Sequence, residues 1–423
     1  MINNYLLMKL LYLPAYTYPE KAASEYLGHN MNQAFADAGF QMIVYAPIPT
    51  RGVSREVRER YKKIKCEERF NGYMKVHRFA MYREGKNIIS RALRYVFCAV
   101  KQFYIGVFAK DVQDCEILFI ASTPPIQGAM AALVKKFRKI SFVYNLQDIF
   151  PDSLVGTGMT HRGSFLWKIG RIIENFTYRN ADKIIVISED FKKNIMAKGV
   201  PEEKIEVIYN WVDEQAVLPV PREQNKLFDR YGLDRSAFYV TYCGNIGLTQ
   251  NMDMLLQVAK ELEVYPDIKF VLIGEGAYKK QVEKVVAEWD LTNVLLLPFQ
   301  PYEDIAHVFS LGNVGLVISK PGVGENSVPS KTWSILFAAR PVLASFDENE
   351  LKTIIDRNEC GVFTRAGDKD SFIQALMKFY HDRDYCHVCG KRGREFILNN
   401  LTREVGTSKY VTVLREVVET TKK

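Results

Sequence analysis

Two hydrophobic patterns take turns along the chain: short apolar runs of buried-strand length, and stretches with apolar residues three and four positions apart. The first half reads as a strand at 9–13, then a helix from Ser24 carrying Leu27, Met31, Phe35 and Ala38 to a stop at Gly39, then a strand at 42–46. Further on come a strand at 117–121, a helix near 126–137, a strand at 140–144, a helix near 164–179 and a strand at 183–187. Residues 214–237, with Pro219, Pro221 and a polar run, interrupt this rhythm and read as a linker. The alternation restarts with strands at 238–243, 269–273, 294–297 and 315–319, helices between them, and an apolar run opened by Pro341. Beyond Gly361 only helices are expected, one of them, at 405–419, long enough to pack back on the first half. The pattern predicts an α/β protein of two doubly wound halves facing across a cleft. The expected domains are residues 1–213, completed by a helix at about 400–423, and residues 214–399.

With 423 residues and 48% hydrophobic content, the chain has material for two sizeable cores. Seven scattered cysteines in mostly apolar contexts read as buried thiols of a reducing compartment. Cys386 and Cys389 form a C-x-x-C pair with no matching second pair, so no metal site is expected. Charges interrupt every apolar run before membrane-spanning length, and Met8 is an alternative start to Met1. The net charge of +8 is concentrated at 51–65, with seven basic and two acidic residues, and at 83–101, with five and one. A helix through 88–109 places Arg91, Arg94 and Lys101 on one side and Leu93, Val96, Val100, Phe103 and Val107 on the other. The expectation is a basic outer face suited to an anionic membrane surface, with nucleic acid disfavoured because only these segments support it.

Candidate chemistry gathers in the second half. The stretch 315–345 reads as strand, Gly/Pro-rich loop, helix and strand, with Ser330 as cap and Lys331 opening the helix. Gly244, Gly247, Gly274, Gly276, Gly322 and Gly324 all follow second-half strands, as loops that bring backbone close to phosphate require. No G-x-G-x-x-G or G-x-x-x-x-G-K-[ST] sequence occurs, which disfavours dinucleotide redox chemistry and P-loop hydrolysis.

The segments "QDIFPDSLVGTGM", "RNADKIIVISEDFKKNI", "YCGNIGLTQNMDMLL", "LIGEGAYKKQVE" and "VPSKTWSILFAARPVLAS", in this order, resemble retaining glycosyltransferases of the GT-B fold, group 1, fourth family. Within that family the chain is similar to bacterial O-antigen and capsule sugar transferases, the group that includes N-acetyl-L-fucosamine transferases. The resemblance implies two Rossmann-like domains, a UDP-sugar held by the second, an acceptor held by the first, and no metal or other cofactor. It also implies a peripheral, cytoplasmic position at the membrane and a polyprenyl-diphosphate-linked saccharide acceptor.

Carried over residue by residue, the resemblance leaves gaps. The loop from Gly244 through Asn245 and Gly247 to Asn251 lacks the arginine and lysine that family members place on the diphosphate. The family's Glu-x7-Glu pair falls on Asn326 and Ser334, with Glu325 one residue off. Lys331 is then the expected replacement cation, with Lys320 second, and Asn326 or Glu325 the contact to sugar hydroxyls. Ser330, Gly274 and Glu275 complete the donor side, and the turn at 298–300 around Phe299 takes the base. Asp148 is expected at the acceptor hydroxyl or transferred sugar, with Asp152 a weaker second and Gln147 where the family often has histidine. Glu25 joins the acceptor side, or simply complements a helix dipole. Two other readings fit the architecture: a sugar-nucleotide 2-epimerase, and a non-catalytic partner subunit of a transferase.

Overall fold

The apolar runs of the first half form eight strands: β1 (Lys9–Tyr12), β2 (Gln41–Pro47), β3 (Cys66–Arg69), β4 (Met74–Phe79), β5 (Ile117–Ala121), β6 (Ser141–Leu146), β7 (Lys183–Val186) and β8 (Ile205–Val207). This is a computed structural model, describing residues 8–20, 25–85, 87–156, 160–324 and 328–422. It divides into two compact units, residues 1–209 with 406–423, and residues 210–405.

The first unit's sheet runs β3-β4-β2-β1-β5-β6-β7-β8, parallel except for the edge pair β3/β4. Every residue of β6 is buried, as a central parallel strand covered on both faces should be. On one face Leu118, Ile120, Phe142 and Tyr144 pack against Met130 and Val134 of the helix Ile126–Arg138 and Tyr178 of the helix Phe165–Asn180. On the other, Phe119 meets Phe35 of the helix Glu25–Asp37 (ring centroids 5.6 Å) and Tyr410 of the final helix Arg403–Lys422 (6.3 Å).

The second unit has six strands: β9 (Phe238–Cys243), β10 (Ile268–Ile273), β11 (Val294–Leu297), β12 (Val314–Ile318), β13 (Val342–Phe346) and β14 (Gly361–Arg365). All are parallel, in the order β11-β10-β9-β12-β13-β14, so the winding direction reverses between β9 and β12. Crevices at such a reversal are where open α/β sheets hold ligands.

Three expectations are corrected. Residues 214–237 are not a free linker: Asn225 caps the helix Lys226–Tyr231, and Leu227 and Phe228 are buried against Tyr239 and Val271. Beyond Gly361 the chain is not wholly helical, because β14 forms a half-covered edge strand beside β13, too short and mixed to show as an apolar run. The third correction is the first half of the helix Ile88–Phe108, which is turned over, while Phe103 and Val107 pack on the core as expected. Arg94 is 0% exposed, and Leu93, Val96 and Val100 face outward. The inner stripe Arg94, Cys98, Gln102 lies across backbone carbonyls. Gln102 Nε2 donates to Pro14 O (2.9 Å) and Tyr45 O (3.1 Å), and Arg94 Nε reaches Tyr82 O at 3.4 Å. A buried carbonyl left without a donor costs about 1–3 kcal/mol, comparable to what turning a leucine inward recovers.

Candidate functional site

Loops after β9, β10 and β12 meet at the reversal point of the second unit and are laced by backbone hydrogen bonds. Gly244 N donates to Ile273 O (3.0 Å), Ile246 N to Glu275 O (2.8 Å), Tyr278 N to Ile246 O (3.0 Å) and Lys320 N to Thr249 O (2.8 Å). This lacing is what several glycines serve. A Cβ on Gly274 would fall 1.9 Å from Gly244 O, and one on Gly276 2.2 Å from Ile246 O. The amides of Gly322 and Gly324 donate to the Asp347 carboxylate at 3.0 and 2.7 Å, and a Cβ on Gly324 would strike the Phe346 ring at 2.4 Å. Gly274, Gly276 and Gly324 let one loop lie against the next, while at Gly322 a Cβ would meet nothing within 4 Å and the glycine serves a left-handed backbone (φ +79°).

Against this frame stands Lys331. Its Nζ sits 3.9 Å from the centroid of the Tyr242 ring and 3.2 Å from where a Cβ on Gly244 would be. Tyr242 is buried and its hydroxyl donates to Asn245 O (2.7 Å), so both the ring under the ammonium and the loop beside it are fixed. Lys331 makes no ion pair or hydrogen bond with any described residue. Desolvation lowers its pKa from 10.5 to about 8, with the Cys243 thiol pulling slightly the other way. Lys320, the second cation, lies over the Tyr278 ring at 5.2 Å, and Tyr278 is itself held by Asp253 (2.7 Å). Among the described residues neither lysine has a carboxylate partner. Two cations without a counter-charge among the described residues, Lys331 beside Gly244 and Lys320 bonded through its amide to Thr249, can accept an anion.

Other expected residues are placed less simply. Ser330 does not cap: it has helical geometry and makes no side-chain cap bond to the short helix Lys331–Phe337. Ser334 is half-buried one turn on from Lys331, and Asn245 is exposed. Gly247 is buried, its amide held by Gln250 Oε1 (3.0 Å). Glu275 is exposed and paired with Lys279 (2.5 Å). Glu325 and Asn326 lie outside the described residues. Phe299 stands at the end of β11, 71% exposed, on a turn that buried Gln300 locks by donating to Pro298 O (2.7 Å). Tyr242, Tyr278 and the buried hydroxyls of Ser319 and Thr332, which have no hydrogen-bond partner among the described residues, were not singled out from sequence. No spacing signal marks a strand tyrosine as the platform for a lysine ninety residues away.

In the first unit, Asp148 follows β6. Its residue is exposed, yet desolvation around the carboxyl raises its pKa, against the Ser153 hydroxyl (3.1 Å) and the Ile149 amide. Gln147 Nε2 donates to Asn145 Oδ1 (2.8 Å), which also accepts from Tyr410 of the final helix (3.0 Å). Asp152 is structural: desolvation raises its pKa, but Lys198 at 2.7 Å outweighs this and leaves it lowered. Glu25 lines a cavity of about 160 Å³ with Tyr12, Tyr16, Glu20, His29 and Asn32, whose buried Oδ1 has no partner. Arg91 is paired with Glu84 (3.1 Å) and Lys101 with Ala80 O (2.7 Å). With Arg94 buried, Arg91 and Lys101 are the expected basic residues that remain outward on this helix. No group of three His, Cys, Asp or Glu among the described residues is placed to hold a metal ion, and no helix is long and apolar enough to cross a membrane.

Comparison with known proteins decides the family. Residues 25–216 match the model of glycosyltransferase family 4 and residues 223–396 that of the glycosyl transferases group 1. The chain belongs to the group 1 glycosyltransferases. Among similar proteins, WbjE of Pseudomonas aeruginosa, which bears the name of a glycosyltransferase, is 26% identical over 67% of this chain and 70% of its own. WcaI of Escherichia coli strain K12, named for colanic acid biosynthesis, is 26% identical over 48% of this chain and 51% of its own. Anabaena HepE, solved with UDP and glucose, superposes with a TM-score of 0.70 at 15% identity, over 96% of this glycosyltransferase and 99% of HepE. Thermosynechococcus elongatus sucrose-phosphate synthase gives 0.71 at 15% identity, over 98% and 100%. The fold of this glycosyltransferase is thus GT-B, with two Rossmann-like units.

Proposed function

We propose that this glycosyltransferase moves a sugar, with retention, from a UDP-sugar to a polyprenyl-diphosphate-linked saccharide, in bacterial surface polysaccharide biosynthesis at the cytoplasmic face of the membrane. The observation that carries the donor half of this reading is the unpaired Lys331 ammonium between Tyr242 and Gly244. A desolvated cation costs stability unless an anion arrives, and a nucleotide diphosphate at the reversal point is such an anion. HepE, solved with UDP, and the surface-polysaccharide names of relatives support the nucleotide and the setting.

Phe299 offers an exposed ring for the base, and Lys331 with Lys320 takes the diphosphate. As the acceptor oxygen bonds to the anomeric carbon, the bond from that carbon to the diphosphate oxygen breaks and its electron pair leaves with UDP. The acceptor proton passes to a diphosphate oxygen on the same face. Lys331 stabilises the charge growing there, which matters more in the transition state than before it. Asp148 orients the acceptor hydroxyl or the sugar, and Glu25 belongs to the acceptor side. No step calls on a metal ion or cofactor.

The test is a thermal-shift panel of nucleotides and nucleotide sugars, followed by UDP release with and without a synthetic polyprenyl-diphosphate-linked saccharide. UDP at about 100 times its Kd should stabilise by about 2.7 kcal/mol. Release that requires the acceptor is expected. A 2-epimer in place of release, or no shift with any nucleotide, refutes the proposal.

A further inference from the structure

The loop after β6 carries Asp148 and runs into the short helix Asp152–Gly156. The Asp148 carboxylate accepts from the Ser153 hydroxyl (3.1 Å), which belongs to that helix, and from the Ile149 amide. Ser153 N donates to Ile149 O (2.9 Å) and Leu154 N to Pro151 O (3.1 Å), which makes loop and short helix one hydrogen-bonded turn. Where this turn stands decides where Asp148 points. Its seat is the helix Phe165–Asn180, approached so closely that a Cβ on Gly170 would strike Pro151 at 2.8 Å and Phe150 at 2.9 Å. That contact fixes how near the turn lies to the helix, but an apolar contact has no direction of its own.

Direction comes from an ion cluster behind the turn. Lys198 closes the helix Glu189–Ala197 and places its Nζ 2.7 Å from Asp152 Oδ2 and 2.8 Å from Glu174 Oε1. Glu174 also pairs with Arg171 and accepts from the Tyr178 hydroxyl (2.8 Å), while Asn194 Nδ2 donates to Asp152 (3.3 Å). The side chains of Lys198, Asp152 and Glu174 are 13%, 15% and 4% exposed, so water and salt screen their attraction little. Lys198 and Arg171 balance Asp152 and Glu174. Both carboxylates bond to the one Lys198 nitrogen and therefore lie close together. Without that ammonium they would repel each other across a poorly solvated gap, and Asp152 would swing away with Ser153 attached. Well-packed apolar side chains could join these three helices at no loss of stability, so stability alone does not account for charges here.

We propose that Lys198 is a positioning residue of the transfer reaction: by bridging Asp152 to Glu174 it sets the turn that aims Asp148 at the acceptor hydroxyl or the transferred sugar. The inference rests on the reading of Asp148 under Proposed function and adds to it the group that places the carboxylate.

The experiment introduces Lys198→Met into the parent and into Asp148→Asn, and measures acceptor-dependent UDP release, UDP binding by thermal shift, and folding by urea unfolding. In the parent, Lys198→Met should lower kcat about tenfold or more while UDP affinity stays within about twofold. In Asp148→Asn the same change should alter kcat by less than about twofold, since the carboxylate it would misplace is already gone; a purely structural role lowers both backgrounds alike. Asp152→Asn keeps the side-chain shape and removes the charge that Lys198 holds. It should lower kcat in the same direction by a smaller factor, and it carries the same comparison if Lys198→Met does not fold. Turnover within about threefold of the parent, or an equal loss in both backgrounds, overturns the proposal and leaves Asp148 in its role. Asp148→Asn as active as the parent overturns the reading of Asp148 and this proposal with it.

Discussion

Replacing Lys331 by methionine keeps the stem on the Tyr242 ring and deletes the charge, so stability and ligand affinity should move in opposite directions. The fall in pKa from 10.5 to about 8 is about 2.5 units, and at 1.36 kcal/mol per unit the folded protein gives up about 3 kcal/mol to hold the ammonium. The ring returns roughly 1 kcal/mol, too little to cancel this. Lys331→Met should therefore stabilise the ligand-free protein by about 2 kcal/mol at pH 7. Because the folded pKa lies below the unfolded one, the penalty is fully present below about 8 and fades as pH rises towards 10.5. Over that window the parent gains stability relative to the variant.

Bound diphosphate reverses the balance by restoring a counter-charge. The parent's affinity for UDP should fall about tenfold per pH unit above 8, as the ammonium must be regained on binding. The variant should bind UDP at least tenfold more weakly at pH 7, with no comparable dependence, and lose at least tenfold in kcat/KM, about 1.4 kcal/mol. Urea unfolding and UDP titration between pH 6.5 and about pH 10 measure both effects. A variant no more stable than the parent at pH 7, with UDP affinity unchanged, refutes the assignment and moves the diphosphate to Lys320.

Asp148→Asn should leave the melting temperature in place and lower turnover at least tenfold; activity within about threefold of the parent, less than 1 kcal/mol, removes it from the reaction. Phe299→Ala, at a side chain that carries little of the core, should keep the fold and weaken UDP binding by about 1–3 kcal/mol if the base stacks there, which calorimetry reads directly. Gly274→Ala should cost about 1–3 kcal/mol in urea unfolding, because its Cβ has only 1.9 Å to Gly244 O, and should weaken UDP binding as the loops part.

Most strands of the second unit were legible as apolar runs, β9 and β11 lying where the pattern sets them, whereas the mixed edge strand β14 was not. β3 was not legible, since its sequence is Cys-Glu-Glu-Arg and an edge strand needs no apolar face. The donor side was half legible. Lys331 could be chosen as a cation after a strand, but its Tyr242 platform joins a helix residue to a strand residue that no local pattern links. Ser330 shows the opposite failure: a serine before a lysine reads as a cap, yet here the chain is already helical at Ser330, so its hydroxyl has no free amide to accept from.

The turned helix Ile88–Phe108 shows why periodicity cannot say which face goes inward. An apolar stripe and a polar stripe are present either way, and the usual inference puts the apolar one inside because burial of a leucine recovers about 2 kcal/mol. That holds when the surface beneath is apolar. Here the carbonyls of Pro14, Tyr45 and Tyr82 beneath the helix take donors from Gln102 and Arg94. Gln127 Nε2 closes the network on Gln102 Oε1 at 2.8 Å. The polar stripe is drawn in by those carbonyls, and the apolar stripe is left outside as a consequence. One local demand for hydrogen-bond donors thus accounts for both the buried network and the outward Leu93, Val96 and Val100.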